Sequence, residues 1–343
     1  MDMLEPVSNF GITNDIKILA TALDYDQRCH PDETIFVTND LALKNIANTV
    51  FGSDSIEGIT VEEDTYSGYK EVYLDQQDMS KFYSNLQYNT FDLMINEYVV
   101  IHEAETGDIV DCWRWNGDGH VALRYGSFPS DHFGNIKPMK DDIYQAMAAD
   151  SLSHNKITML KGPAGSGKTI LSLGYLMNRL EKGTLEKIIV FCNTVATVNS
   201  ARLGFYPGSR NEKLLDSQIG NLLASKFGGR VEVERMIEEE KLVLLPLSDI
   251  RGYDTTGMKA GIYISEAQNL DITLMKLALQ RIGEDSICII DGDNKTQVDD
   301  KSFAGSHNGM RRASKVFRGA DIYGEVELKQ IHRSRIAQLA EAM

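Results

Sequence analysis

The sequence predicts an α/β protein: a parallel sheet with helices on both faces, preceded by a small β-rich domain and, ahead of that, a partial α/β segment. Three observations predict it. Near-continuous apolar runs at Ile157-Thr158-Met159-Leu160, Lys187-Ile188-Ile189-Val190-Phe191-Cys192, Leu242-Val243-Leu244-Leu245, Gly261-Ile262-Tyr263-Ile264 and Ser286-Ile287-Cys288-Ile289-Ile290 alternate with helical patterns, as buried parallel strands do. A glycine-rich stretch, Gly162 to Thr169, separates the first run from a helical one. From about Asp54 to Phe133 the pattern changes to short β-branched and aromatic segments punctuated by glycine turns. The boundaries this implies are 1–53, 54–135 and 136–343.

Composition narrows the function classes. The 343 residues carry a net charge of −15, which argues against a nucleic-acid partner until it is divided along the chain. Residues 1–135 hold 24 of the 50 acidic side chains but only 7 of the 35 basic ones, leaving 26 and 28 for the remainder. The net negative charge is therefore N-terminal, and a local basic surface can form further on. No apolar run approaches the roughly 20 residues of a membrane helix, and Asp2 and Glu5 stand where a signal peptide would be basic. A cytoplasmic protein without membrane attachment is the expectation. Cys29, Cys112, Cys192 and Cys288 are too scattered for zinc or a redox pair.

In chain order, a helix from Asp15 to about Leu23 and a strand at Thr34-Ile35-Phe36-Val37 lead to a second helix opened by Thr38-Asn39-Asp40. Asp15 and Asp40 each follow an Asn, and helix capping accounts for both. Thr13-Asn14-Asp15-Ile16-Lys17-Ile18-Leu19-Ala20 and Val37-Thr38-Asn39-Asp40-Leu41-Ala42-Leu43-Lys44 also resemble the latter half of a PIN-type nuclease domain. Such domains hold divalent metal with three or four carboxylates. The opening strand and its first Asp have no counterpart ahead of Asn14, so the resemblance implies a truncated PIN-like segment without nuclease activity.

Glu71-Val72-Tyr73-Leu74, Tyr98-Val99-Val100-Ile101-His102, Asp108-Ile109-Val110-Asp111-Cys112-Trp113 and Val121-Ala122-Leu123-Arg124-Tyr125 then suggest a small antiparallel barrel or sandwich. Trp113, Trp115 and Tyr125 either stack on bases of a single strand or form the core. His102, His120 and His132 have no metal-ligand spacing.

Pro138 to Ser153 reads as an amphipathic helix carrying Gln145. Next comes Gly162-Pro163-Ala164-Gly165-Ser166-Gly167-Lys168-Thr169, which fits the P-loop pattern in its required strand–loop–helix setting. Gly162, Gly165 and Gly167 allow the φ values that turn successive N–H groups toward phosphate. Lys168 would reach the β- and γ-phosphates of ATP, and Thr169 would place a hydroxyl on Mg²⁺. Two later strand ends are polar. Glu266, in Ser265-Glu266-Ala267-Gln268-Asn269, can activate water; Gln297, after Asp291-Gly292-Asp293-Asn294-Lys295-Thr296, can sense the γ-phosphate.

These stretches, with Leu203-Gly204-Phe205-Tyr206-Pro207-Gly208, Pro246-Leu247-Ser248-Asp249-Ile250-Arg251-Gly252, Gln280-Arg281-Ile282-Gly283, Gln297-Val298-Asp299 and His332-Arg333-Ser334-Arg335, resemble the PhoH-like ATPases in order. With the N-terminal segment the chain is similar to the PIN–PhoH subgroup. The resemblance implies a P-loop NTPase fold related to superfamily 1 helicases, ATP hydrolysis with Mg²⁺, single-stranded RNA as partner, and a homo-oligomer such as a hexameric ring. It also implies that Gln145 holds adenine, although a glutamine there can equally be a surface residue. Arg281, Arg333 or Arg335 would supply a transition-state arginine, with surface charge as the ordinary alternative, and Arg251, Arg311 and Arg312 would contact RNA phosphates. One position departs from the family: its acidic motif is normally Asp-Glu-Ala-Gln-Asn, and Ser265 replaces the Asp. With Thr169, Ser265 and Glu266 as metal-side residues, weaker Mg²⁺ support or slower hydrolysis is expected. A slowly hydrolysing nucleotide switch or scaffold is therefore the alternative to an RNA motor.

Overall fold

Apolar runs bounded by turn residues become strands covered on both faces, and the five such runs between Ile157 and Ile290 all do so. The computed structural model describes residues 14–28, 35–38, 40, 43–44, 46–48, 56–57, 66–192, 215, 218–293 and 307–332. Two units divide the chain, Met1–Glu63 and Asp64–Met343.

In the first unit, helix α1 (Asn14–Arg28) accompanies a parallel pair, β1 (Phe36–Val37) and β2 (Ile56–Glu57). Leu19, Leu43 and Ala47 bury their side chains together. The Leu43 N–H donates to Asp40 Oδ1 at 3.0 Å, so this carboxylate caps the turn that follows. The Asp15 side chain lies outside the described residues.

The second unit opens with β3 (Tyr69–Leu74), α2 (Gln76–Ser84), β4 (Tyr98–Glu103), β5 (Ile109–Trp115) and β6 (His120–Ala122), in the sheet order β3-β4-β5-β6. The expected antiparallel barrel is instead a mixed sheet. Helix α2, capped by Asp75, carries the chain back across, so β3 and β4 pair in parallel while β4, β5 and β6 pair antiparallel. Trp115 is in the core with Phe82, Val99 and Ile101, Trp113 donates its Nε1–H to Asp111 Oδ2 at 2.8 Å, and Tyr125 is exposed. A hairpin of β7 (Phe128–Ser130) and β8 (Gly134–Ile136) follows. His132, beside it, bridges Glu181 and Glu232 at 2.9 and 2.7 Å. Its pKa is raised: burial opposes protonation, and the two carboxylates outweigh it.

Six parallel strands make the main sheet: β9 (Ile157–Lys161), β10 (Lys187–Cys192), β11 (Leu242–Pro246), β12 (Ala260–Ile264), β13 (Ile287–Gly292) and β14 (Tyr323–Glu327), ordered β11-β10-β12-β13-β9-β14. Helices α3 (Ile143–His154), α4 (Lys168–Glu181), α5 (Gln218–Lys226) and α6 (Arg230–Glu238) pack their Met147, Leu171, Leu223 and Val233 with Leu160, Val190 and Ile289 on one face. On the other, α7 (Ile272–Leu279) and α8 (Gly309–Phe317) place Met275 and Met310 with Met159, Ile189 and Ile290. This is the α/β arrangement of a P-loop NTPase, with helices on both sides of a parallel sheet.

Helix α3 is not amphipathic: it is buried at every position from Ile143 to Leu152. It lies between the main sheet and the β3–β6 sheet. Asp150 on α3 accepts from Arg114 Nε at 3.0 Å and the Tyr98 hydroxyl at 2.9 Å, and Arg114 also donates to Asn96 Oδ1 at 2.9 Å. Asn96 Nδ2 in turn donates to the carbonyls of Asp321 and Tyr323, each at 3.0 Å. One buried polar network therefore joins residues on the two sides of position 135. Among the described residues no helix is long and apolar enough to cross a membrane.

Candidate nucleotide site

Parallel strands deliver their carboxyl ends, and the loops that follow them, to one edge of the sheet. At that edge β9 ends on Lys161, α4 begins at Lys168, and Gly162, Gly165 and Gly167 take φ values of 139°, 87° and 97°. A β-carbon on Gly162 would lie 2.4 Å from the Leu328 carbonyl oxygen. The Ser166 hydroxyl and N–H both donate to the Pro163 carbonyl, at 2.9 and 3.3 Å, closing the loop around Ala164 and Gly165. Lys168 Nζ donates to the Gly162 and Pro163 carbonyls at 2.6 and 2.9 Å, which holds the ammonium over the loop. The first N–H groups of α4 and its positive end face the same space, the arrangement that receives phosphate.

Gln145 sits directly behind this loop and is buried. Its Nε2 donates to the Ser166 carbonyl at 2.9 Å and its Oε1 accepts the Met139 N–H at 2.8 Å. The helix cap Asp142 accepts the Gln145 N–H at 3.0 Å and bonds His332 Nε2 at 2.5 Å. His332 also donates its own N–H to the Gly165 carbonyl at 3.0 Å, so the C-terminal motif reaches the loop.

The acidic side comes from β12 and β13. Ile264 pairs with Ile290, and Asp291 with Leu160 of β9, which places β13 between the P-loop strand and the strand bearing Ser265 and Glu266. Glu266 has a left-handed backbone, φ 54°, a strained conformation for a non-glycine residue. Its Oε2 accepts from Gln268 Nε2 at 2.6 Å, and Gln268 Oε1 accepts the Asp293 N–H at 3.1 Å. Gln268 thus positions Glu266 against the end of β13. Asp291 is buried: its Oδ2 accepts from the Tyr263 hydroxyl at 2.5 Å and lies 3.5 Å from Thr169 Oγ1, while its Oδ1 accepts the Glu266 N–H at 3.3 Å. Burial raises its pKa, opposed by the Tyr263 hydrogen bond and the charge of Lys168. The Tyr263 hydroxyl is also 3.3 Å from Ser265 Oγ.

Hydroxyl and carboxylate oxygens are the donors a hard cation such as Mg²⁺ takes, so the set Thr169, Ser265, Glu266 and Asp291 fits it chemically. No cluster of three or more His, Cys, Asp or Glu forms a protein-only cage among the described residues; Mg²⁺ in such sites draws other ligands from phosphate and water.

Of the sequence-predicted residues, Gln145, Gly162 to Thr169, Ser265 and Glu266 converge at this edge. Arg281 does not. It lies past the end of α7, before β13 begins, and so at the opposite edge of the sheet, where its carbonyl accepts from the Thr255 hydroxyl at 2.7 Å. Gln297, Arg333 and Arg335 fall outside the described residues. Tyr263, Gln268, Asp291 and His332 have no assigned role from sequence, although the last three stand within the motifs that carry the family resemblance.

Comparison with known proteins agrees with this geometry. Residues 135–343 match the family model described as PhoH-like protein. The chain is 28% identical to "Protein PhoH2" of Bacillus subtilis (strain 168), over 96% of this chain and 77% of that one. It is 25% identical to "Protein PhoH2" of Thermobispora bispora, over 96% of this chain and 74% of that one. To the "PhoH-like protein" of Bacillus subtilis it is 32% identical, over 56% of this chain and 59% of that one. With a matching family model across more than half its length, and a parallel sheet that carries the loop Gly162 to Thr169 at its carboxyl edge, the chain belongs to the PhoH-like protein family.

Proposed function

We propose that this chain binds ATP with Mg²⁺ at Gly162 to Thr169 and hydrolyses it, and that turnover drives remodelling of single-stranded RNA by a cytoplasmic homo-oligomer. One observation carries the reading: a positive-φ glycine loop with Lys168 lies at the same sheet edge as Glu266 and its holder Gln268, with only the end of β13 between them. The loop N–H groups and Lys168 bind and orient the phosphates. Glu266 accepts the proton of the attacking water, with Gln268 fixing its carboxylate. Thr169 and the residues at the ends of β12 and β13 would hold Mg²⁺, which would supply positive charge to offset that of the phosphates. Gln145 keeps one N–H and one lone pair beyond its two loop contacts, enough to meet an adenine edge. Gln297 as γ-phosphate sensor and Arg335 as transition-state arginine belong to the same reading, and Arg281 fits it only as a residue offered to a neighbouring subunit.

RNA as partner rests on the family resemblance, supported by the near balance of charge after residue 135 and by exposed Arg251 and Arg312, which follow β11 and β13 at the same edge of the sheet. The N-terminal unit is read as a PIN-like segment without nuclease activity, since Asp40 is engaged as a cap. The test is ATP turnover with and without single-stranded RNA, alongside mass measurement with nucleotide. RNA-stimulated turnover that Lys168→Ala abolishes is expected. A second reading, a slow nucleotide switch or scaffold, is favoured by the neutral Ser265; tight ATP binding with no RNA-stimulated turnover would select it.

A further inference from the structure

We infer that Asp291, from the neighbouring strand, supplies the carboxylate that supports the nucleotide-bound divalent cation in place of the one missing at residue 265. This rests on the nucleotide-site reading above and adds to it a metal-side residue.

The position is right. Strand β13 lies between β9 and β12, so its carboxyl end adjoins both the P-loop strand and the strand that leads to Ser265. Adjacent strands are only about 4.8 Å apart, and moving the charge by one strand keeps it in the same crevice. Asp291 Oδ2 is 3.5 Å from Thr169 Oγ1, the hydroxyl that P-loop proteins place on Mg²⁺.

The chemistry is also right. Asp291 is 2% exposed, and a buried carboxylate is costly unless a positive charge compensates it. Its hydrogen-bond partners are neutral: the Tyr263 hydroxyl, the Glu266 N–H and, at the outer limit, the Thr169 hydroxyl. No Lys, Arg or His lies within ion-pair distance of it among the described residues; Lys168 acts on it only from farther off, its ammonium donating to the Gly162 and Pro163 carbonyls. Two other buried carboxylates are matched by cations, Asp150 by Arg114 and Glu325 by Lys161. Asp291 is left with a negative charge that a divalent cation beside Thr169 would balance. Ser265 keeps the polar half of the arrangement, its Oγ 3.3 Å from the same Tyr263 hydroxyl. Structural capping of Glu266 alone would not account for a charged group here, since an asparagine oxygen accepts that N–H as well.

The experiment uses the full chain, Mn²⁺ as the cation and AMP-PNP as a non-hydrolysed nucleotide. Two quantities are read for wild type, Asp291→Asn and the double variant Ser265→Asp/Asp291→Asn: AMP-PNP affinity in EDTA, and Mn²⁺ affinity of the protein–AMP-PNP complex from the electron paramagnetic resonance of free Mn²⁺. Asp291→Asn should leave the metal-free affinity within about threefold and weaken Mn²⁺ about ten- to a hundredfold, the usual cost of losing a metal-supporting group. The double variant should return within about threefold of wild type, because the carboxylate is restored one strand over. Wild-type Mn²⁺ affinity in Asp291→Asn overturns the inference, as does a double variant no tighter than the single. Should Asp291→Asn not fold, the double variant carries the test: wild-type Mn²⁺ affinity supports the inference and a tenfold loss overturns it. A wild-type chain that binds no AMP-PNP with or without Mn²⁺ refutes the nucleotide site itself, and this inference with it.

Discussion

Gly167 and Gln145 should be energetically coupled, and the structure sets the size of the effect. Gly167 has φ 97° and ψ 3°, and a β-carbon there would come within 2.6 Å of Gln145 Nε2. Gly167→Ala therefore carries two penalties. The left-handed backbone costs about 1–2 kcal/mol for an alanine. Displacing the buried Gln145 amide breaks its bonds to the Ser166 carbonyl and the Met139 N–H, about 1 kcal/mol each. The sum, about 3–4 kcal/mol, should lower the melting temperature by roughly 6–8 °C at about 2 °C per kcal/mol for a chain of this size. Gln145→Ala alone loses the two hydrogen bonds, about 2 kcal/mol. In the double variant the steric conflict has gone with the glutamine, so only the backbone strain is added to that loss. Thermal melts of the four proteins should place the double variant level with Gly167→Ala. If instead the two losses add to within about 0.5 kcal/mol, the contact between this amide and the loop has no energetic content and the reasoning fails.

Other outcomes follow from particular contacts. Glu266→Gln should lower ATP turnover about a hundredfold or more while nucleotide binding is retained, the signature of a lost general base; retained turnover would remove Glu266 from that role. Arg114→Met should destabilise by about 3–5 kcal/mol because it leaves Asp150 buried without its cation, and Arg114→Met/Asp150→Leu should recover much of that in urea denaturation. His132 gives a pH dependence of definite sign. Its folded-state pKa is raised by Glu181 and Glu232, the latter held near a pKa of about 2 by Arg235 and His132, so the stabilisation is complete below the ordinary histidine pKa and is lost as pH rises through the raised value. The melting temperature of wild type minus that of His132→Gln should shrink across that window, and a difference constant with pH would refute it.

The main sheet is legible from sequence where burial on both faces removes alternation, as in Lys187 to Cys192 and Ile287 to Ile290. Strand β14 is not, because Gly324 and Glu325 interrupt its apolar run. Both have tertiary causes: a β-carbon on Gly324 would meet Asn155 Nδ2 at 2.1 Å, and Glu325 is buried against Lys161. Helix α3 illustrates the same limit, since Asp150 and Ser151 read as a solvent face until Arg114 and Asn155 are placed beside them. The exposed-looking Trp115 becomes core because α2 brings Phe82 against the sheet, a packing that no local pattern encodes.

The site follows the same logic one step further. Motif reading treats each position by itself, and at residue 265 it reports a lost carboxylate. Strand order converts that loss into a displacement. Because β13 enters the sheet between β12 and β9, Asp291 and Ser265 share the Tyr263 hydroxyl, and both belong to one crevice beside Thr169. The chemistry of such a crevice constrains its total charge and its donors, and leaves open which strand end provides them. A serine after β12 with an aspartate ending β13 can therefore meet the same electrostatic requirement as an aspartate after β12. On the inference above, the weak metal support expected from Ser265 alone would become support from Asp291, which the Mn²⁺ affinity of Asp291→Asn decides. Wild-type Mn²⁺ affinity lost in Asp291→Asn would then remove the argument that the neutral Ser265 gives to a slow switch.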